Sequence, residues 1–145
     1  LTQSLLPLLL KAASPEDPAR VVNVGSVMGE VPKGTATYSY AVSKGAVHHM
    51  TRVLSNDLAP EFITVNAIAP GPFPSKMTDF ALGSEEGRAE SAKGVPLGRV
   101  GTAEDIAGAL QFLCSRAGAY VSGAILPLSG GMQSAAPISI FNEDL

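Results

Sequence analysis

Two side chains with complementary acid–base properties, Tyr40 and Lys44, stand four positions apart, and Ser26 lies fourteen positions before the tyrosine. On a helix, positions i and i+4 share one face, so the phenol and the ammonium can point into the same cleft. A free tyrosine has a pKa near ~10, and lowering it to about 7 requires roughly 4 kcal/mol of preferential stabilisation of the phenolate. One ammonium at ~4 Å, at an effective dielectric of ~20, supplies about that much. If the Ser26 hydroxyl holds a substrate carbonyl beside the phenol, these residue types make a proton-transfer site for alcohol and carbonyl chemistry.

The elements that must position these residues are predicted from apolar runs and turn residues. Three apolar runs indicate buried strands near 20–26, 63–69 and 123–128. Helices are predicted near 38–58, ending before Pro60, and near 102–114, with Thr102 as N-cap.

This order predicts an α/β fold, with right-handed crossovers between parallel strands of a doubly wound sheet. Ligands bind such sheets outside the carboxyl ends of the strands. Ser26, the Pro70-Gly71 turn and Ser129 all fall at those ends, which independently indicates a site there.

Several residues are expected to serve packing alone. An apolar stripe at helical spacing is predicted to be buried on the long helix, and it comprises Val42, Ala46, Met50, Val53 and Leu54. Tyr38, which has no lysine one turn on, is predicted to pack, and Cys114 to be a buried structural thiol. Asn23 and Asn66 are expected to satisfy backbone groups at strand ends.

Composition argues against several classes of function. A net charge of −3, a pI near 5.3 and the lack of a Lys/Arg cluster argue against nucleic-acid binding. The apolar run from Leu5 to Leu10 is short, interrupted by Pro7 and without a basic lead-in. It predicts neither a signal peptide nor a membrane span, so a cytoplasmic location is the default expectation. His48 and His49 are adjacent and so point about 100° apart on a helix, and a metal site is not expected.

The chain resembles the C-terminal half of the short-chain dehydrogenase/reductase family, in the branch of 3-oxoacyl-carrier-protein-reductase-like enzymes and fungal secondary-metabolism reductases. The resemblance runs from about Leu1 to Met132. It is carried by the strand ending at Ser26, the Tyr40-Ala41-Val42-Ser43-Lys44 motif, the strand closed by Pro70-Gly71 and the strand that ends at Ser129-Gly130-Gly131. No G-x-G-x-x-G and no Asn-Asn-Ala-Gly occurs. The sequence is therefore interpreted as the second half of a Rossmann-type domain, cut upstream of the helix before the Ser26 strand.

The resemblance implies NADP or NAD as cofactor, a small carbonyl or alcohol substrate and a homo-oligomer (a dimer or tetramer) in the full-length context. It implies that Ser26 orients the carbonyl, that Tyr40 is the general acid/base, and that Lys44 lowers the tyrosine pKa and binds the nicotinamide ribose. The residues that it places against the cofactor are Tyr40, Lys44, Pro70, Gly71, Phe73 and Ser75.

Two further segments are assigned by composition. The stretch from Pro70 to Arg99 is long, rich in proline and glycine and predicted to be irregular, and a loop of that length is usually functional or mobile. With the family resemblance, residues 72–99 are expected to be the substrate lid. Residues 133–145 show no clear period and are predicted to be a loose tail.

Two other functions stay open. A half-sheet without a pyrophosphate site could be a non-catalytic remnant, or a subunit that pairs with a complete reductase. A lyase or isomerase is a third reading, because a Tyr/Lys pair also suits enolisation.

Overall fold

The computed structural model describes residues 1–31 and 37–134. Within these ranges a parallel sheet has the strand order β1-β2-β3. In chain order the elements are α1 Thr2–Ala12, β1 Ala19–Val24, α2 Tyr38–Leu58, β2 Ile63–Pro70, α3 Asp79–Leu82, α4 Glu85–Ala92, α5 Ala103–Cys114 and β3 Ile125–Leu128. Short 3-10 turns at Val27–Gly29, Ala59–Glu61, Arg116–Gly118 and Met132–Ser134 complete the description.

Helices cover both faces of the sheet. The central strand β2 contributes to both contacts because its side chains alternate between the two faces. Ile63 and Val65 pack on one face with apolar residues of α1 and α2. Ile68 packs on the opposite face against Ala109 and Leu113 of α5. This parallel arrangement with helices on both faces confirms the predicted α/β, Rossmann-type fold class.

Local signals set the bounds of the two long helices. The α2 helix ends at Leu58, before Pro60, which cannot continue the hydrogen-bond ladder. The α5 helix begins after Thr102 with a capping box, in which the side chain of Asp105 accepts from the Thr102 backbone N–H at 2.8 Å. Both predicted ranges are confirmed.

The predicted buried stripe of α2 is wrong except at Leu54, which packs against the cluster around Ile63. The other members are exposed: Val42 to 72%, Met50 to 45% and Val53 to 44%, with Ala46 also in the exposed class. The buried side chains of this helix are His48 and Thr51. These polar side chains of α2 face the sheet because the sheet offers them hydrogen-bond partners. The Asn23 amide, for example, donates to the Thr51 hydroxyl at 2.9 Å.

Three smaller predictions are also corrected. Tyr38 is 77% exposed rather than packed, and Cys114 is exposed because it is the last residue of α5, one position past the buried Leu113. The segment predicted as irregular, Pro70 to Arg99, contains α3 and α4.

At the start of the chain, α1 continues to Ala12 through Pro7. The proline removes only the hydrogen bond to the exposed Gln3, whose carbonyl water can satisfy. Of the predicted tail, residues 133 and 134 belong to the last 3-10 turn and 135–145 lie outside the described residues. No helix in the described ranges has the length and apolar character needed to cross a bilayer.

Candidate active site

Ser26 lies two residues beyond the end of β1, where it caps the 3-10 turn Val27–Gly29. Its Oγ accepts from the backbone N–H of Met28 at 3.2 Å. Its own N–H donates to His48 Nε2 at 3.3 Å, and the residue is only 6% exposed. Ser26 is therefore held from two sides, through its backbone and through its hydroxyl oxygen.

Tyr40 and Lys44 occupy the first two turns of α2 and face the same strand end. The Lys44 Nζ lies 5.6 Å from the centroid of the Tyr40 ring, within the range of cation–π attraction. The same ammonium donates to the carbonyl of Val24, the last residue of β1, at 3.0 Å. This bond fixes a positive charge at the carboxyl end of the strand, next to the phenol ring.

The end of β2 approaches β3 so closely that only glycine fits. Gly71 N–H donates to the carbonyl of Leu128 at 2.9 Å. A Cβ on Gly71 would lie 2.9 Å from the Cα of Ser129. The Pro70-Gly71 turn is thus locked beside β3, and it directs the following residues over the strand ends.

The segment after this turn is organised by Phe73 and Ser75. The Phe73 ring lies against Gly101, where a Cβ would come within 2.2 Å of two ring carbons, and Gly101 N–H donates to the carbonyl of Pro72 at 2.9 Å. Thr78 was missed by the sequence reasoning. Its hydroxyl lies 2.7 Å from the Phe73 carbonyl, to which it donates, and accepts from the Ser75 N–H at 2.9 Å.

A cavity of about 790 Å³ brings the predicted site residues together. It is lined by all the residues predicted to be catalytic or to bind the cofactor: Ser26, Tyr40, Lys44, Pro70, Gly71, Phe73 and Ser75. Among the described residues of the lining, the charged ones are Lys44 and Arg88, and none is a carboxylate. Met77 and Ile106 add apolar wall, so the cavity combines a hydroxyl, a phenol and net positive charge.

Sequence reasoning missed Arg88 because α4, on which it lies, was not predicted. Its guanidinium donates to the carbonyl of Leu82 at 3.1 Å, which links α4 to the end of α3. Ser129, expected at the same sheet edge, lines instead a neighbouring cavity of about 300 Å³ that shares Phe73 and Gly101 with the first. The Ser129 hydroxyl donates to the side-chain carbonyl of Gln133.

His48 is a further residue whose role was not predicted from the sequence. It was considered only as a metal ligand, whereas it lies 2% exposed beneath Ser26. The pKa of His48 is lowered from 6.5, chiefly because the ring is buried. The Glu30 carboxylate raises this pKa, whereas Arg52 and Lys44 lower it further. The spacing could have found it, because positions 40, 44 and 48 follow one another at four-residue steps along one side of a helix.

The two strand asparagines have structural roles. Asn66 donates to the Val121 carbonyl at 2.8 Å and accepts from the Ala124 N–H at 3.0 Å, which confirms the expectation for this residue. Asn23 bonds the Thr51 hydroxyl instead of a backbone group. Within the described parts of the chain, no group of three or more His, Cys, Asp or Glu side chains is arranged to hold a metal ion.

Comparisons with known proteins place this geometry in context. The family model described as enoyl-(acyl carrier protein) reductase matches residues 1–133. A rhamnolipids biosynthesis 3-oxoacyl-(acyl-carrier-protein) reductase from Pseudomonas aeruginosa is 43% identical over 129 residues, which are 89% of this chain and 50% of that protein.

Solved structures give the same picture. The RhlG/NADP active-site complex of Pseudomonas aeruginosa superposes with a TM-score of 0.87 at 42% identity, over 91% of this chain and 52% of the other. The aldohexose dehydrogenase of Thermoplasma acidophilum, in ligand-free form, gives 0.83 at 27% identity, over 97% and 56%. The chain thus spans about half the length of the curated relatives that it matches.

Proposed function

This chain belongs to the short-chain dehydrogenase/reductase family, and from that membership we propose that the protein transfers hydride between NADP or NAD and a carbonyl or secondary alcohol. The observation that carries the proposal is the single cavity lined by Ser26, Tyr40 and Lys44 together with the turn that follows β2. NADP is favoured over NAD because the similar RhlG complex contains it. The names of the relatives range from 3-oxoacyl to aldohexose substrates, so the proposal extends to the reacting group and no further.

The hydroxyls of Ser26 and Tyr40 would share the substrate oxygen. The Met28 N–H occupies one lone pair of Ser26 Oγ, so the hydroxyl still has its proton to donate to a carbonyl. Tyr40 would give its phenolic proton to that oxygen during reduction and take it back during oxidation. The Lys44 ammonium favours the phenolate that this transfer leaves.

The residues present fit the nicotinamide half of such a cofactor. The part of the lining that the structure describes is cationic and holds no carboxylate, which suits a ligand that carries phosphates. Phe73, Met77 and Ile106 offer apolar surface to a flat ring. The nicotinamide ring, when bound, would supply or accept the hydride. Lys44 would hold the ribose, and Pro70, Gly71, Phe73 and Ser75 would hold the carboxamide side. Residues 72–99, including α3 and α4, would serve as the lid over the substrate.

Replacing Tyr40 by phenylalanine in the full-length natural protein tests the proposal. Turnover should fall by about 100-fold or more, because proton transfer is lost, while the Kd for NADPH should change by less than about 3-fold because the ring stays. Tyr38→Phe is the matched control, since Tyr38 lies on the same turn but is exposed and outside the cavity. A Tyr40→Phe enzyme with near-normal turnover, or an equal loss in the control, would overturn the assignment.

Two alternatives have distinct outcomes in the same experiments. A non-catalytic partner or remnant predicts no turnover of any carbonyl by the full-length natural protein. A lyase or isomerase predicts turnover that continues when nicotinamide cofactor is left out. Cofactor-dependent consumption of a carbonyl excludes both.

We also propose that the full-length protein is a homo-oligomer, a dimer or tetramer, built on the outer face of α2. The exposed apolar residues Val42, Met50 and Val53 support this, together with Tyr38 at the start of the helix. Val42→Glu should shift the mass measured by light scattering toward the monomer, and an unchanged mass would contradict the proposal. The cytoplasmic location stays a prediction from the sequence.

A further inference from the structure

The loop that carries Ser26 is folded around one buried imidazole. His48 Nε2 accepts the Ser26 N–H at 3.3 Å. The ring fills the space beside Gly25, where a Cβ would lie 2.1 Å from Nε2, and beside Gly29, where a Cβ would lie 2.8 Å from Cε1. Both glycines are therefore required by the ring, which forms the floor of the turn from residue 25 to residue 29.

The hydrogen bond from Ser26 defines the protonation state of this ring. An Nε2 that accepts an N–H must carry no proton, so the neutral imidazole has its proton on Nδ1. Nδ1 is buried and has no hydrogen-bond partner among the described residues. The nearest carboxylate oxygen, Glu30 Oε1, lies 3.6 Å away, too far for a good hydrogen bond.

The charges around His48 come from the elements packed against it. Glu30 follows the 3-10 turn, and Arg52 and Lys44 lie on α2. Glu30 is itself shared with Arg52 at 3.8 Å, so its attraction for a protonated ring is partly offset. Burial and the two cations favour the neutral ring, in agreement with its lowered pKa.

We propose that His48 is the positioning residue of Ser26, and that it acts only as the neutral imidazole. A proton added to Nε2 would point at the Ser26 N–H, so two donors would face each other and the turn would have to move. Because Ser26 Oγ is fixed within this turn by the Met28 N–H, the hydroxyl would leave its place in the cavity. Its effect on turnover rests on the proposed function, whereas the contact between His48 and Ser26 does not.

Variants of His48 in the full-length natural protein separate positioning from general stability. His48→Leu removes the acceptor and should lower kcat about 10-fold or more, with the KM for cofactor changed by less than about 3-fold. His48→Gln offers an amide oxygen at similar reach that cannot titrate, so it should restore most of kcat. The kcat of the unmodified enzyme should decline in acid as His48 gains its proton, and the Gln variant should lose that decline. His49→Gln is the control, because His49 is the exposed neighbour on the same helix.

A spectroscopic measurement on the unmodified protein avoids any dependence on how the variants fold. The nitrogen chemical shifts of His48 should indicate a neutral ring protonated at Nδ1, and the Ser26 amide resonance should move with the same midpoint as His48. Three results would each overturn the inference. They are a normal kcat in a folded His48→Leu enzyme, a decline of kcat in acid that persists in the His48→Gln variant, and a Ser26 amide resonance that does not shift when His48 titrates. Full turnover by Tyr40→Phe would refute the proposed function and leave the coupled titration unaffected.

Discussion

Adding one methyl group at Gly25 should destabilise the protein strongly, because the imidazole of His48 occupies the space that the methyl needs. The new Cβ would lie 2.1 Å from Nε2 and 2.6 Å from Cδ2 of that ring, against about 3.5–4.0 Å for an ordinary carbon contact. Neither side can yield easily. The Gly25 N–H is bonded to the Ile68 carbonyl at 2.8 Å, and the imidazole is 2% exposed.

The free-energy cost has two parts. Overpacking of this kind costs about 1–3 kcal/mol. Because the ring is also displaced by this contact, the buried Ser26 N–H loses its acceptor, which costs a further ~1–3 kcal/mol. Gly25→Ala should therefore lower the free energy of unfolding by about 2–6 kcal/mol, a large share of the ~5–15 kcal/mol of an ordinary domain.

A double-mutant cycle with urea denaturation measures the part that belongs to the clash. In a His48→Ala background the two contacts with the ring are gone and the Ile68 carbonyl oxygen, at 3.2 Å, is the remaining close neighbour of the methyl, so Gly25→Ala should cost at least about 2 kcal/mol less there. Gly108→Ala is the control: nothing lies within 4 Å of its added Cβ on α5, and it should stabilise by about 0.5–1 kcal/mol. Costs for Gly25→Ala that agree within about 0.5 kcal/mol in the two backgrounds would refute the reasoning.

Other perturbations test the charges of the site. Lys44→Met should lower turnover and also weaken cofactor binding, because one ammonium lies beside the phenol ring and would hold the ribose; a variant that loses turnover with an unchanged Kd for NADPH would contradict this double role. The lowered pKa of His48 contributes stability that is present above its ordinary value of 6.5 and is lost as the pH falls through the depressed value. The urea concentration at the midpoint of unfolding should therefore decrease as the pH falls from 6.5 through the depressed pKa of His48. It should decrease less in the His48→Gln variant. The Arg99 side chain and the Thr102 backbone N–H both donate to Asp105 and hold its pKa well below 3.8. Asp105→Asn should lower the melting temperature at neutral pH. The difference in melting temperature between this variant and the unmodified protein should become smaller as the pH falls below about 4. Calorimetry on residues 1–145 alone should detect no NADPH binding, and micromolar binding would contradict that expectation.

The sheet and the convergence of the site could be predicted because they follow from local rules. The run ending at Ser26 and the turn at Pro70-Gly71 each mark a strand end, and parallel strands bring their carboxyl ends to one edge. The four-residue step from Tyr40 to Lys44 then points both side chains toward that edge.

Hydrophobicity alone could not predict the buried face of α2, because the burial of its residues depends on partners elsewhere in the chain. Val42 and Met50 are more apolar than His48 and Thr51, so any scale of hydrophobicity chooses the wrong side. The sheet accepts the polar pair because Asn23 bonds Thr51 and the Ser26 N–H bonds His48. The short helices α3 and α4 were also not predicted, because a helix of one or two turns is too short to show a hydrophobic period.

The hydrogen bond from the Gly101 N–H to the Pro72 carbonyl closes the segment between them into a loop with joined ends. Near the end of this loop, the two hydrogen bonds of the Arg99 guanidinium to Asp105, at 2.7 and 2.9 Å, tie the loop to α5. The entropy of closing a loop grows slowly with its length, so residues can be inserted or exchanged between such fixed ends at small cost. We therefore expect residues 76–98 to be a replaceable segment, which can be exchanged while the Phe73 ring and Arg99 keep their contacts and β2 and α5 stay in place.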